Sequence, residues 1–463
     1  LHALLPLEVG DDFTEARYRD GERRLRSDLR ERGFARAQVS RTAEVDVDHD
    51  RVRVAYHITP GPPCRFGTIE IRGTQQVSAE VIRRELAFAP AEPFRESALE
   101  ITRAHLAGLN LFRTIRIDEV PGADDAVDIR VVVAEAPPRD VRLGLGYDTE
   151  EQARALASWR NYNFLGGARQ LGVTARASFL RYTLLGDFLQ PHAPTPNSRL
   201  RAIVLAQREE EDGYRLDRAR LLLRAEWEPQ PWFTTYLSYR LEYDRLSQVP
   251  VAVAQALPEA VPADALLSSI GLGVEFSLVD DPVDPGRGFT LKGSVEPVGG
   301  GLGDSVGFVR LTAEGRAWLP LPLDSLAAVR VRLGTASPVA GSRDVPLYER
   351  FYAGGANSLR GYDRRRAGPI ADDNPLGGRS LTEVSLEFRH HFTPTISGVA
   401  FLDGAYVTAQ SWRSALDRLQ LGTGLGARYR SPVGPIQVDI GLPLDRPPGD
   451  ARWQLHFALG ASF

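Results

Sequence analysis

Arg360 stands in a segment, Phe351 to Tyr362, that also holds Gly354, Gly355 and Gly361. Glycine at that density breaks a strand pattern, and aromatics bracket the one guanidinium. An arginine so placed can do one strong thing: form a forked pair of charge-assisted hydrogen bonds with a carboxylate and so pin its loop. Two downstream segments offer partners, Glu387 in Ser385-Leu386-Glu387-Phe388 and Asp403 in Phe401-Leu402-Asp403-Gly404. On a solvated surface loop the same arginine would do nothing; folded back into a polar lumen it would anchor the loop. Other chemistry is thinly represented. His390 and His391 are adjacent, but no third ligand stands at metal-site spacing, and on a strand they would face opposite sides. There is no nucleophile elbow and no phosphate-binding loop. No catalytic residue, metal or cofactor is expected, so the chain is read as not an enzyme.

The elements that would position Arg360 follow from composition and period. The chain has 463 residues, 56 basic and 60 acidic, for a net charge of −4. That balance gives no electrostatic case for nucleic acid. The single cysteine, Cys64, excludes an intrachain disulfide and any Cys-based zinc cluster. No apolar run reaches the ~18 residues of a membrane-spanning helix. From Arg139 onward, strand follows strand. Leu237, Leu241 and Tyr243 alternate with Ser238, Arg240 and Glu242, and Val309 to Ala317 repeats the pattern against Arg310 to Arg316. Strict period two gives each strand one apolar and one polar face. A soluble β-sandwich would fit a stretch of about 100 residues. This one is about 325 long, and at ~20 residues per strand and connection it predicts a transmembrane antiparallel barrel of about 16 strands.

Before Pro137-Pro138 the pattern is mixed. Glu15 to Arg32 is a charged helix, capped by Asp11 or Thr14 and stopped by Gly33, followed by a hairpin of Ala37–Val47 and Arg51–Ile58. A fuller unit follows: strand Arg65–Arg72, helix Ser78–Ala87 capped by Ser78, helix Arg95–Gly108, and strands Thr114–Val120 and Val127–Glu135. Phe13 and Phe94 hold equivalent places before the second helix of each unit. Two β-α-α-β-β repeats are expected, the first lacking its opening strand and helix. The chain has no Met, even at position 1, so a mature or truncated form is expected, with a signal peptide and at least one and a half units upstream.

On these motifs the chain resembles the BamA/TamA outer-membrane protein assembly superfamily. Leu359-Arg360-Gly361-Tyr362 is similar to that family's lumen-loop motif, and Phe401-Leu402-Asp403-Gly404 to its partner strand. Asp280 to Phe289 resembles its Asp-x-x-x-x-Pro-x-x-Gly hairpin, and Ser431 to Asp439 its penultimate strand. The β-α-α-β-β units resemble periplasmic POTRA domains, and Pro62 to Glu70 looks most like the last POTRA domain of the TamA branch. The implied domains are a partial POTRA-like unit at 1–61, a complete one at 62–137 and a surface-antigen-type barrel at 138–463.

The resemblance also implies a function. The barrel would lie in a bacterial outer membrane with its POTRA domains in the periplasm. It would insert β-barrel or autotransporter clients through a lateral seam between first and last strands, marked by Val141, Gly144, Gly146, Phe457 and Phe463. The terminal aromatic resembles the signal by which such barrels are themselves recognised. Partners implied are unfolded outer-membrane protein clients, outer-membrane lipid, and a periplasmic or inner-membrane partner through the POTRA units. An open seam exposes a strand edge on which a client can pair. Unpaired backbone in hydrocarbon costs several kcal/mol per group; weak seam pairing, bilayer thinning and the client's own strand would offset it without ATP. The alternative is a two-partner-secretion exporter of the same superfamily. Such exporters carry a plug helix ahead of two POTRA domains, whereas the charged helix here lies inside a repeat. A third class is a passive porin or barrel hydrolase, which leaves the POTRA-like units unexplained.

Overall fold

The computed structural model describes residues 4–299, 306–431, 434–446 and 451–459. It divides into two compact units, residues 1–139 with 161–169, and residues 140–160 with 170–463.

The first unit opens with helix α1 (Glu15–Glu31) and the hairpin β1 (Gln38–Asp46) and β2 (Arg51–Thr59). Thr14 caps α1, its hydroxyl accepting the Arg17 N–H at 3.4 Å. Leu25, Leu29 and Val39 form a small core. A β-α-α-β-β unit follows: β3 (Arg65–Arg72), α2 (Ala79–Arg84), α3 (Glu96–Gly108), β4 (Phe112–Pro121) and β5 (Ala126–Glu135). Its sheet order is β3-β5-β4, with β3 parallel to β5. Phe66, Ile82, Phe94, Leu106 and Val131 fill its core. Arg30 ties the two parts together, its Nε donating to Glu96 at 2.7 Å and its Nη2 to Glu119 at 2.5 Å.

Two expectations are corrected here. Phe94 is fully buried, but Phe13 is 37% exposed, because the described first part has no opening strand or first helix to cover it. Ser78 stands at the start of α2 without a capping hydrogen bond. The Glu135 carboxylate instead holds the turn that leads into α2, accepting the N–H groups of Gln75 (2.7 Å), Gln76 (3.0 Å) and Val77 (2.9 Å). Burial alone would raise its pKa, but these three donors hold it below the usual carboxylate range.

The second unit is a closed antiparallel barrel. Its strands are β6 (Arg139–Asp148), β7 (Gln152–Asn161), β8 (Gln170–Ser178), β9 (Arg181–Pro191), β10 (Ser198–Glu211), β11 (Tyr214–Gln230), β12 (Phe233–Ser247), β13 (Asp264–Val279), β14 (Gly288–Val298), β15 (Phe308–Leu321) and β16 (Ser325–Pro338). Two short pieces in a long loop, β17 (Ile370–Ala371) and β18 (Asn374–Pro375), pair only with each other. The wall then continues with β19 (Ser380–His391), β20 (Ile396–Thr408), β21 (Gln420–Ser431), β22 (Gly434–Pro443) and β23 (Gln454–Leu459), which meets β6. The described wall thus has the expected 16 strands.

The barrel is inside out relative to a soluble sheet. On β12, Glu242 and Asp244 are 0% and 1% exposed, while Leu237 on the other face is 55% exposed. A polar face that is buried and an apolar face that is open is what lipid outside and a polar lumen inside require. No described helix is long and apolar enough to cross a membrane. At the β13–β14 turn, the Asp280 carboxylate accepts the N–H groups of Gly286 and Arg287, each at 3.0 Å. This closes the hairpin that the motif resemblance of Asp280 to Phe289 implied.

Candidate functional site

The loop between β16 and β19, residues 339–379, folds into the barrel. Leu359, Arg360 and Tyr362 are buried. The Arg360 guanidinium forks onto Asp403, Nε to Oδ2 at 2.7 Å and Nη2 to Oδ1 at 3.0 Å, and Nη1 donates to Glu387 at 3.0 Å. Its backbone N–H also reaches Asp403 at 3.2 Å. The guanidinium carbon lies 3.5 Å from the centre of the Phe401 ring, a cation–π contact. Period two explains the placement. Phe401 and Asp403 share the inner face of β20, and Ser385 and Glu387 stand opposite them on β19. Ser385 donates its hydroxyl to Asp403 at 2.6 Å.

Asp439 is a third carboxylate, on β22, 3.7 Å from Arg360 and fully buried. Charge is balanced locally. Arg428 forks onto Asp439 at 2.6 and 2.9 Å, and Arg389 donates to Glu387 at 2.6 Å. Three carboxylates thus face three guanidiniums, which is what lets the group sit out of water.

The loop tip also needs room. Gly361 has φ +100°, a conformation that favours glycine, and a Cβ there would lie 2.8 Å from the Leu442 carbonyl carbon. On the wall, a Cβ at Gly441 would lie 2.4 Å from the Gly361 nitrogen, and one at Gly422 would lie 2.1 Å from the Arg360 oxygen. Glycines of β21 and β22 therefore form the floor on which the loop tip rests. Tyr362 closes the tip, its hydroxyl donating to the Asp445 carbonyl at 3.0 Å.

Sequence reasoning missed two further anchors. Glu349, within the short helical turn Leu347–Glu349, accepts from Arg240 at 2.9 Å and Arg310 at 2.8 Å. Glu242, Asp244 and Glu349 lie close enough to resemble a cation site. Arg218 and Arg240 interleave with them, Arg218 meeting Asp244 at 2.7 Å and Glu242 at 3.2 Å, so arginines already supply the positive charge. Farther along, Arg364 forks onto Glu211, and Arg365 meets Glu209 at 3.2 Å and the Tyr214 hydroxyl at 2.7 Å. The runs Glu209-Glu210-Glu211 and Arg364-Arg365-Arg366 are a charge match visible in the sequence.

At the seam, the described register between β23 and β6 covers Ala458 opposite Asp148 and Leu459 opposite Tyr147. The Thr149 N–H adds a bond to the Phe457 carbonyl at 3.1 Å, and the Phe457 and Tyr147 rings are 6.2 Å apart. A Cβ at Gly146 would lie 3.1 Å from the Leu459 oxygen. Val141 and Gly144 lie nearer the start of β6, where the described residues give no seam partner. Phe463 lies outside the described residues. His390 and His391 face different neighbours, Ser325 at 3.0 Å and Ser397 at 2.8 Å.

Comparison with known proteins is decided by the barrel. Residues 163–463 match the Omp85 superfamily domain. The chain belongs to the Omp85 superfamily. Residues 1–61 and 64–136 match the POTRA family, described as a surface antigen variable number repeat. Among Omp85 relatives, the outer membrane protein assembly factor BamA of Nitratidesulfovibrio vulgaris is 25% identical over 89% of this chain. The chain spans 53% of that relative's length. BamA from Haemophilus ducreyi lacking POTRA domains 1–3 superposes with a TM-score of 0.75 at 18% identity, covering 98% of this chain and 95% of that one. CdiB from Escherichia coli gives 0.59 at 15%, covering 96% and 84%. At these identities the two structures speak for the fold alone. Like other Omp85 proteins with POTRA domains, this one resides in the outer membrane, with those domains on the periplasmic side.

Proposed function

We propose that this Omp85 protein is an assembly factor that inserts β-barrel or autotransporter clients into the outer membrane through the β6–β23 seam. The observation that carries the reading is where the wall closes: β23 meets β6, the first strand of the barrel, with Leu459 opposite Tyr147 and Ala458 opposite Asp148. Parting these two strands would leave backbone groups of β6 available to a client strand. Arg360, with Glu387 and Asp403, keeps the loop of 339–379 seated while the seam moves. The name of the Nitratidesulfovibrio relative supports the same activity. Residues 1–61 and 62–137 are proposed as the partial and complete POTRA-like domains that meet a periplasmic or inner-membrane partner and the unfolded clients. Residues 138–463 are the proposed barrel domain.

A second reading, export of an unfolded chain through the lumen, is favoured by the fold likeness to CdiB. The seated loop speaks against it, because anchors at Glu211, Arg240, Glu387 and Asp403 carry it across the lumen.

The test is a disulfide across the seam. Tyr147→Cys with Leu459→Cys, in a Cys64→Ala background, places two thiols at paired positions. In liposomes containing the full chain, oxidation should stop a client barrel from becoming protease-protected, and a reductant should restore it. Insertion that continues under oxidation would remove lateral opening. A large, steady conductance of the unmodified protein would favour the exporter.

A further inference from the structure

The loop joining β20 to β21, residues 409–419, lies against the outer face of the wall. The Ser411 hydroxyl donates to the Ala336 carbonyl at 2.8 Å, and the Trp412 N–H donates to the Thr335 hydroxyl at 2.9 Å. The Arg413 N–H donates to the Ser380 hydroxyl at 3.4 Å. The loop therefore crosses β19 and reaches β16. Trp412 is held at φ +62°, a left-handed conformation that a bulky side chain rarely adopts and that costs energy. The three hydrogen bonds hold it there with its indole 66% exposed.

This arrangement builds a groove of about 320 Å³, lined chiefly by Leu311, Ala313, Leu333, Trp412 and Arg413. Thr335 and Leu333 lie three and five residues from the end of β16, roughly 10–16 Å along the strand. An exposed tryptophan beside outward apolar side chains near a strand end is the setting in which aromatic girdles anchor barrels. The charge is complementary to such a neighbour. The Arg413 guanidinium is exposed, touches Gln410 at 2.5 Å, and has no carboxylate partner among the described residues.

We propose that this groove binds one anionic lipid of the outer membrane. Its acyl chain lies along Leu311, Ala313 and Leu333 beneath the Trp412 indole, and its phosphate sits on Arg413. The groove's lining holds none of the seam residues and none of the Arg360 cluster, so it stands or falls independently of the insertase reading.

Tryptophan quenching by brominated lipids tests it. The full chain is reconstituted in vesicles doped with brominated-acyl phosphatidylglycerol or brominated-acyl phosphatidylcholine. The Trp412 signal is the difference between wild type and Trp412→Phe. The expected result is half-quenching at roughly fivefold less phosphatidylglycerol than phosphatidylcholine, the ratio set by one cation at a membrane surface. Arg413→Gln should bring the two lipids together. Both substitutions fall on exposed side chains, so the barrel forms in each. Equal quenching by both lipids overturns the proposal. So does a preference that Arg413→Gln leaves intact, or a Trp412 that neither lipid reaches because another protein covers it.

Discussion

Arg360 is held by charge and by shape, and the two can be separated. Arg360→Ala would leave Asp403 and Asp439 buried beside fewer cations. Removing one partner of a buried pair costs about 3–5 kcal/mol, mostly the penalty of the stranded charge. The expected outcome is a lower urea midpoint for the barrel, with loss of client insertion. Arg360→Lys keeps the charge but cannot fork onto Asp403 or lie flat on Phe401. It should recover part of the stability and little of the insertion; full recovery of both would show that charge alone matters. Glu387 and Asp403 were legible as partners because each sits in a short motif beside an aromatic. Asp439 closes the strand motif from Ser431 but carries no distinguishing signal, since a lone inward aspartate on a strand looks like any lumen-facing polar residue. Glu349 was missed for a different reason: a glutamate in a loop carries no periodic signal, and its partners Arg240 and Arg310 are remote in the chain.

At the scale of elements, β21 and β22 are as much a part of the site as the loop. Gly441→Ala adds one carbon 2.4 Å from the Gly361 backbone, and backbone cannot rotate out of the way as a side chain can. The loop tip should lift. Limited proteolysis within residues 339–379 should then become fast, while the barrel keeps its strand content. A loop that stays protected would mean the wall yields instead. Strand existence was readable from period two, yet the glycine floor was not, because glycine is neutral in an apolar–polar alternation. In the first unit, helix α2 proved shorter than Ser78–Ala87, and the turn leading into it is held by Glu135. That dependence has a pH signature. The Glu135 pKa is lowered on folding, so its contribution is present above the unfolded value and is lost as pH falls through the folded one. Unfolding of this unit in the full chain should become easier as pH drops below the usual carboxylate range. Glu135→Gln should reduce that dependence and weaken the unit at neutral pH. An unchanged pH profile would remove Glu135 from the account.

At the scale of the whole molecule, the barrel closes where β23 meets β6 and is spanned internally by one long loop. The sequence disclosed the strand count and the polar-inside pattern, because length and period are properties of the chain alone. It did not disclose how the loop distributes its anchors, because that depends on which strands face one another once the wall curves. The seated loop has a kinetic consequence. Ala356 donates its N–H to Glu150 across 206 positions of sequence, and Arg364 meets Glu211 across 153. Contacts so remote carry a loop-closure entropy that only a wall already assembled on both sides can repay. Seating of Arg360 therefore belongs at the end of this protein's own folding, after the strands it joins are in register.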